Sequence, residues 1–212
     1  MMCNRLKCSL LAAALLVGAL QTARADPAAS LPGETVLSYF AQLPDHGVAL
    51  TTGGAVKMRR GPEGIAALAE PSLDNTLALI CKLADTGGKV VGFASELEIF
   101  PADPSAVDTS WPTAWTLAIP GRGMIYLHQI ERSGSLVTDI IGPTMTSGKP
   151  WSGDCTVTTT VGPLPGGRGR IVGGSGEFAD IAGSFVEVDR LTHYSVDGVL
   201  TGTVELRMFL RK

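Results

Sequence analysis

From Leu200 to Met208 the chain alternates without interruption: Leu200, Gly202, Val204, Leu206 and Met208 fall on one side, Thr201, Thr203, Glu205 and Arg207 on the other. Only an extended strand puts residues two apart on one face, so this stretch must offer one side of a sheet to a core. The same grammar recurs upstream. "TLALICKLA", "KVVGFASELEIF", "TAWTLAI", "GMIYLHQIE", "LVTDIIGPTMT", "DCTVTTTVG", "GRIVGG" and "GSFVEVDRLTHYS" are apolar and β-branched runs, divided by turn sequences such as Asp-Thr-Gly-Gly and Pro-Gly-Arg-Gly. Their lengths and spacing predict an antiparallel meander.

Helix signals are sparse. Pro62 and Glu63 open, and Pro71 ends, one short helix; a second brief helical possibility lies around Glu34 to Gln42. About eight strands with little helix favour a closed barrel over a sandwich, because closure removes exposed strand edges. The fold class expected is mainly β: a single antiparallel eight-stranded β-barrel with a short N-terminal helical and hairpin extension. The 26 glycines then serve turns and strand bends.

The first residues pair a basic start, Arg5 and Lys7, with an apolar run from Leu10 to Leu20 and the small-residue signal Ala23-Arg24-Ala25. This reads as a secretory signal peptide over residues 1–25, too short to span a bilayer, which needs ~20 apolar residues. The division expected is therefore 1–25 leader, 26–74 arm, hairpin and short helix, and 75–212 barrel, with a periplasmic or secreted location and no membrane insertion. Losing Arg5, Lys7 and Arg24 makes the net charge of −3 still more acidic, which disfavours nucleic acid as a partner. Cys81 and Cys155 remain in the mature chain; an oxidising compartment permits a bridge between them, but sequence gives no distance, and buried free thiols are common. His46, His128 and His193 have no partner at metal-ligand spacing, so no metal is expected.

"RIVGGSGEFADIAG", Arg170 to Gly183, imitates a dinucleotide fingerprint through Gly174, Gly176 and Ala179. That reading needs a helix opening at the glycines, and Phe185, Glu187, Asp189 and Leu191 continue instead as an alternating strand. A hairpin corner fits better. Gly173, Gly174, Ser175, Gly176, Phe178 and Gly183, between "SGDCTVTTTVG" and "GVLTGTVELRMFL", resemble the corner of the allene oxide cyclase and dirigent superfamily of eight-stranded barrels. The resemblance covers Gly153 to Leu210 well and the strands from Thr76 by pattern. It implies a small barrel, often a trimer, whose lumen holds a hydrophobic or aromatic small molecule, with Phe178 packed inside and no cofactor. It further implies one of two functions: an exported cofactor-independent isomerase, cyclase or lyase acting on a hydrophobic or phenolic molecule, or a non-catalytic barrel that steers or carries one.

An acid or base in such a lumen must sit on an inward strand position, partly desolvated so that its pKa moves toward working pH. Tyr126 and His128 share one face of their strand, and Glu96 and Glu98 share one face of theirs, so each pair could project into one space. The opposite faces are apolar, Ile125 and Leu127 in one case and Phe93, Leu97 and Ile99 in the other, which equally allows the polar pairs to face water or a subunit interface. Asp154 offers a carboxylate at a strand entrance, or simply a turn residue after Ser152-Gly153. Trp111, Trp115, Trp151 and Phe100 are candidate walls for an aromatic ligand, or core aromatics.

Overall fold

In the computed structural model the residues described are 26–45, 47–51, 75–101 and 109–211. The leader and the helix expected after Pro62 lie outside them.

Eleven strands form one sheet: β1 Thr35–Leu43, β2 Gly47–Thr51, β3 Thr76–Ala84, β4 Val90–Ile99, β5 Ser110–Ile119, β6 Gly123–Arg132, β7 Trp151–Thr158, β8 Thr160–Gly162, β9 Gly169–Gly174, β10 Gly183–Tyr194 and β11 Leu200–Leu210. The order β1-β11-β10-β9-β6-β5-β4-β3 closes on itself where Phe40 of β1 pairs with Ala84 of β3, giving a closed eight-stranded antiparallel barrel. β2 pairs with β3 on the edge opposite β4, beyond the point where β1 meets it. Between β6 and β10 the wall is shared: β9 pairs with the start of β10, while β7 pairs with Val188 onward and β8 with the end of β6.

Two segments differ from expectation. The helical possibility at Glu34 to Gln42 is strand β1, paired along its whole length with β11 from Thr35↔Leu210 to Leu43↔Gly202. Leu37, Tyr39, Ala41 and Leu43 recur at period two and turn to the core, and this pattern outweighs local helix propensity. The barrel thus begins well before residue 75. "LVTDIIGPTMT" is helical instead of extended: a wide turn, Leu136–Ile141, runs into α1, Gly142–Ser147. Its buried residues Leu136, Ile140 and Thr144 repeat every four positions, and Pro143 falls in the first turn of α1.

The corner between β9 and β10 is built by its glycines. Gly176 has φ +63°, and a Cβ there would stand 2.3 Å from the Arg122 carbonyl oxygen. A Cβ on Gly174 would meet the Phe178 carbonyl oxygen at 2.3 Å. The single turn Gly176–Phe178 delivers Phe178 into the core.

Inside the barrel, Trp115, Leu117, Ile125, Leu127, Phe185, Leu206 and Met208 are fully enclosed, each large apolar side chain contributing roughly 1.5–3 kcal/mol relative to exposure. The helical segment after β6 packs Leu136 and Ile140 on Leu191 and Tyr194 of β10, with Cys155 and Val157 of β7 alongside. Outside, the N-terminal arm covers Val186, Val188 and Phe209 with Ala28. Arg168 anchors that arm: it donates to the carbonyls of Pro27 and Ala29, pairs with Glu34 at 2.9 Å, and stacks 3.9 Å over the Phe209 ring.

Candidate functional site

The inward faces of β4, β5, β6 and β10 change character along the barrel. Toward the β9–β10 corner they carry Ala94, Leu117, Ile119, Ile125 and Phe185. Toward the helical segment the same alternation delivers Glu96 and Glu98, Trp111 and Thr113, Gln129 and Glu131, Glu187 and Asp189. Register brings these together: Glu96 faces Trp115, Glu98 faces Thr113, Thr113 faces Gln129 and Trp111 faces Glu131. Glu96, Glu98, Glu131 and Glu187 are all buried, and Oδ1 of Asp189 is sealed from solvent. None of the five is ion-paired with a lysine, arginine or histidine among the described residues.

Their hydrogen bonding is unequal. Glu131 accepts four bonds: Trp111 Nε1 at 3.2 Å and Thr113 Oγ1 at 2.7 Å on Oε2, Gln129 Nε2 at 2.6 Å and Thr159 Oγ1 at 3.1 Å on Oε1. Glu187 accepts from Trp115 Nε1 at 2.9 Å and from the same Gln129 amide at 2.6 Å. Thr160 donates to the Gln129 carbonyl at 2.5 Å, which fixes the amide so that its NH₂ points at both acids. Glu96 Oε1 and Asp189 Oδ1 have no hydrogen-bond partner among the described residues.

Burial is the first cause of elevated pKa values throughout, because it penalises the charged form. Glu96, Glu98 and Glu187 are pushed well above the ordinary carboxylate range by burial and then by neighbouring charge, Glu187 and Glu98 acting on Glu96, and Glu131 and Asp189 acting on Glu98 and Glu187. Asp189 is raised to about 8 by burial and by Glu131. Glu131 is raised by burial too, but hydrogen bonds from Glu187, Thr113, Thr159 and Trp111 pull it back. Within the group Glu131 is the acid whose hydrogen bonds most favour the ionised form, while Asp189 keeps its proton at neutral pH. Glu205 is the contrast: equally buried, but on the outward face of β11 with Arg207 at 2.9 Å, which together with the Ser38 hydroxyl outweighs burial and lowers its pKa.

Of the residues singled out from sequence, Glu96, Glu98, Trp111 and Trp115 meet in this chamber. Phe100 lies half-buried at its edge, its ring 5.0 Å from that of Trp111. Trp151 packs elsewhere, half-buried in the cluster beneath the helical segment. Tyr126 and His128 do not share a space with the glutamates: Ile125 and Leu127 take the inward positions of β6, leaving Tyr126 exposed and His128 half-buried on the outer wall. Asp154 is exposed on β7. Cys81 and Cys155 are both free thiols, one in the main core and the other under the helical segment.

Gln129, Glu131, Glu187 and Asp189 were missed, although the signal was present. Gln129 and Glu131 continue the register of Ile125 and Leu127, and Glu187 and Asp189 lie between Phe185 and Leu191 on one face. An acid in phase with the apolar positions of its strand is an inward acid.

Fold and site together define a closed β-barrel with an acidic chamber at one end of an apolar interior. No family model matches the chain, and no curated protein matches it. Among solved structures it is similar to a pterocarpan synthase dirigent protein, at 16% identity over 84% of this chain and 83% of that one, with a TM-score of 0.38.

Proposed function

We propose that this barrel acts on a hydrophobic or phenolic small molecule by proton transfer from its own carboxyl groups, as an isomerase, cyclase or lyase without an organic cofactor. The carrying observation is the inequality within the chamber. Glu131 accepts four hydrogen bonds that favour its ionised form, whereas Glu96 keeps a buried oxygen with no hydrogen-bond partner among the described residues. A fixed base beside an unengaged acid is the arrangement that general acid–base chemistry uses, since the two environments separate the roles of like groups. In this reading Glu96 gives a proton to the charge developing on the substrate, Glu131 accepts one, and the Trp111 and Trp115 indoles hold the acids in place. The leader supports export, and Phe93, Leu97 and Ile99, exposed on the outer face of β4, support a homo-oligomer.

The test is turnover of candidate epoxides and quinone methides by the purified protein. Glu96→Gln and Glu131→Gln should each lower kcat by about 10²-fold or more, the usual contribution of a positioned acid or base. Glu177→Gln, at an exposed ion pair with Arg122, should leave it unchanged. Retention of ligand with no turnover, indifferent to the glutamates, would favour the barrel that only holds or steers its ligand.

A further inference from the structure

We propose that Glu96, Glu98 and Glu131 form a binding site for a calcium-sized divalent cation at the acidic end of the barrel. One carboxylate oxygen from each of the three lies within 4.8 Å of the others. Ca–O bonds of about 2.3–2.6 Å let two ligands on opposite sides of one ion stand about 5 Å apart, whereas Mg–O bonds of about 2.0–2.1 Å bring them to about 4 Å. The limit of 4.8 Å lies within what one Ca²⁺ spans, and Mg²⁺, which demands near-ideal octahedral geometry and gives up its waters reluctantly, suits an enclosed site less well. The donors are all oxygen, which selects hard cations over zinc or copper.

A second observation points to a ligand independently of the clustering. Glu96 is 4% exposed and its Oε1 has no hydrogen-bond partner among the described residues. Leaving such an atom unmatched is costly, and buried polar groups in folded proteins are nearly always satisfied. Asp189 Oδ1 and Ser133 Oγ are further buried oxygens without a hydrogen-bond partner among the described residues. A cation held among the three carboxylates would satisfy the Glu96 oxygen. The three side chains sit on β4 and β6, rigid central staves of the barrel, so the site is preorganised.

Protons and the cation are alternative occupants of the same oxygens, because carboxylates must lose their protons to bind a metal. Loading the site would take up the acids that the proposed proton transfer uses, making the cation an inhibitor of that step. Binding itself does not depend on the turnover reading and is measured without substrate.

The experiment titrates the chelator-treated full chain with CaCl₂ alone by calorimetry at pH 6, 7 and 8, and with TbCl₃ by luminescence on tryptophan excitation. Trp111, bonded to Glu131, lies within range to sensitise a bound lanthanide. The expected result is one Ca²⁺ per chain, binding more tightly as pH rises by about tenfold per unit for each proton released. Mg²⁺ should bind more weakly, and Glu96→Gln and Glu98→Gln should each weaken Ca²⁺ at least tenfold. Glu98→Asp, which keeps the charge and shortens the reach, provides a second variant should the amides misfold, and should weaken Ca²⁺ in the same direction. Glu177→Gln should bind as the parent does. Absence of heat and of sensitised luminescence in folded protein at pH 8 would overturn the proposal, as would binding undiminished in folded variants.

Discussion

Replacing Asp189 with asparagine takes one acid out of the chamber while keeping its shape. In the unfolded chain the carboxyl ionises near 3.8, whereas in the folded barrel its pKa is about 8. Below pH 3.8 the group is neutral in both states and costs nothing. As pH climbs from 4 to 8 the unfolded chain releases the proton and the folded one keeps it, so stability falls; above about 8 the loss levels off. At 1.36 kcal/mol per pH unit, the wild type is weakened by about 4 kcal/mol at pH 7, a large share of a domain's net 5–15 kcal/mol. Urea unfolding of chelator-treated wild type and Asp189→Asn, followed by circular dichroism at pH 4, 5, 6, 7 and 8, reads this directly. The two curves should nearly coincide at pH 4 and diverge steadily, with the variant more stable by about 4 kcal/mol at pH 7. A difference that stays flat with pH, or a variant less stable at pH 7, would refute the view that a protonated acid is stored there.

Arg168→Ala should cost about 3–5 kcal/mol in urea unfolding, because it strands the buried Glu34 carboxylate and frees the arm from Phe209. Gly176→Ala, forced to φ +63° with its Cβ against the Arg122 carbonyl, should cost about 1–3 kcal/mol, read as a lowered Tm. Tyr126→Phe and His128→Ala, on the outer wall, should change stability by less than about 0.5 kcal/mol and leave turnover unaltered. Cys81, buried with its thiol pushed up to about 12, should react with a thiol reagent only on unfolding; half-buried Cys155 should react first.

Much of the barrel was legible because period two is a local property. The run from Leu200 to Met208 needs no partner to declare itself a strand, and Gly174 to Gly183 declare a corner through the backbone freedom they supply. The two misread segments had their signals obscured by length. β1 carries four alternating apolar residues beside good helix formers, and Leu136–Ser147 is β-branched enough to look extended until the four-residue spacing of Leu136, Ile140 and Thr144 is counted.

The sequence by itself determined that the chain alternates, where it turns, and that Glu96 shares a face with Glu98. It left open which face that was. Inward and outward are relations between strands, fixed when β3 closes on β1, and on β4 closure turned Phe93, Leu97 and Ile99 outward and Glu96 and Glu98 in. In β6 that choice sent Ile125 and Leu127 inside and carried Glu131 with them, turning Tyr126 and His128 out. Only closure could then set Glu131 of β6 and Glu187 of β10 around one glutamine with Glu96 of β4 across from them. Five acids far apart in the chain became one chamber because register, not sequence separation, decides which side chains share a layer of a barrel.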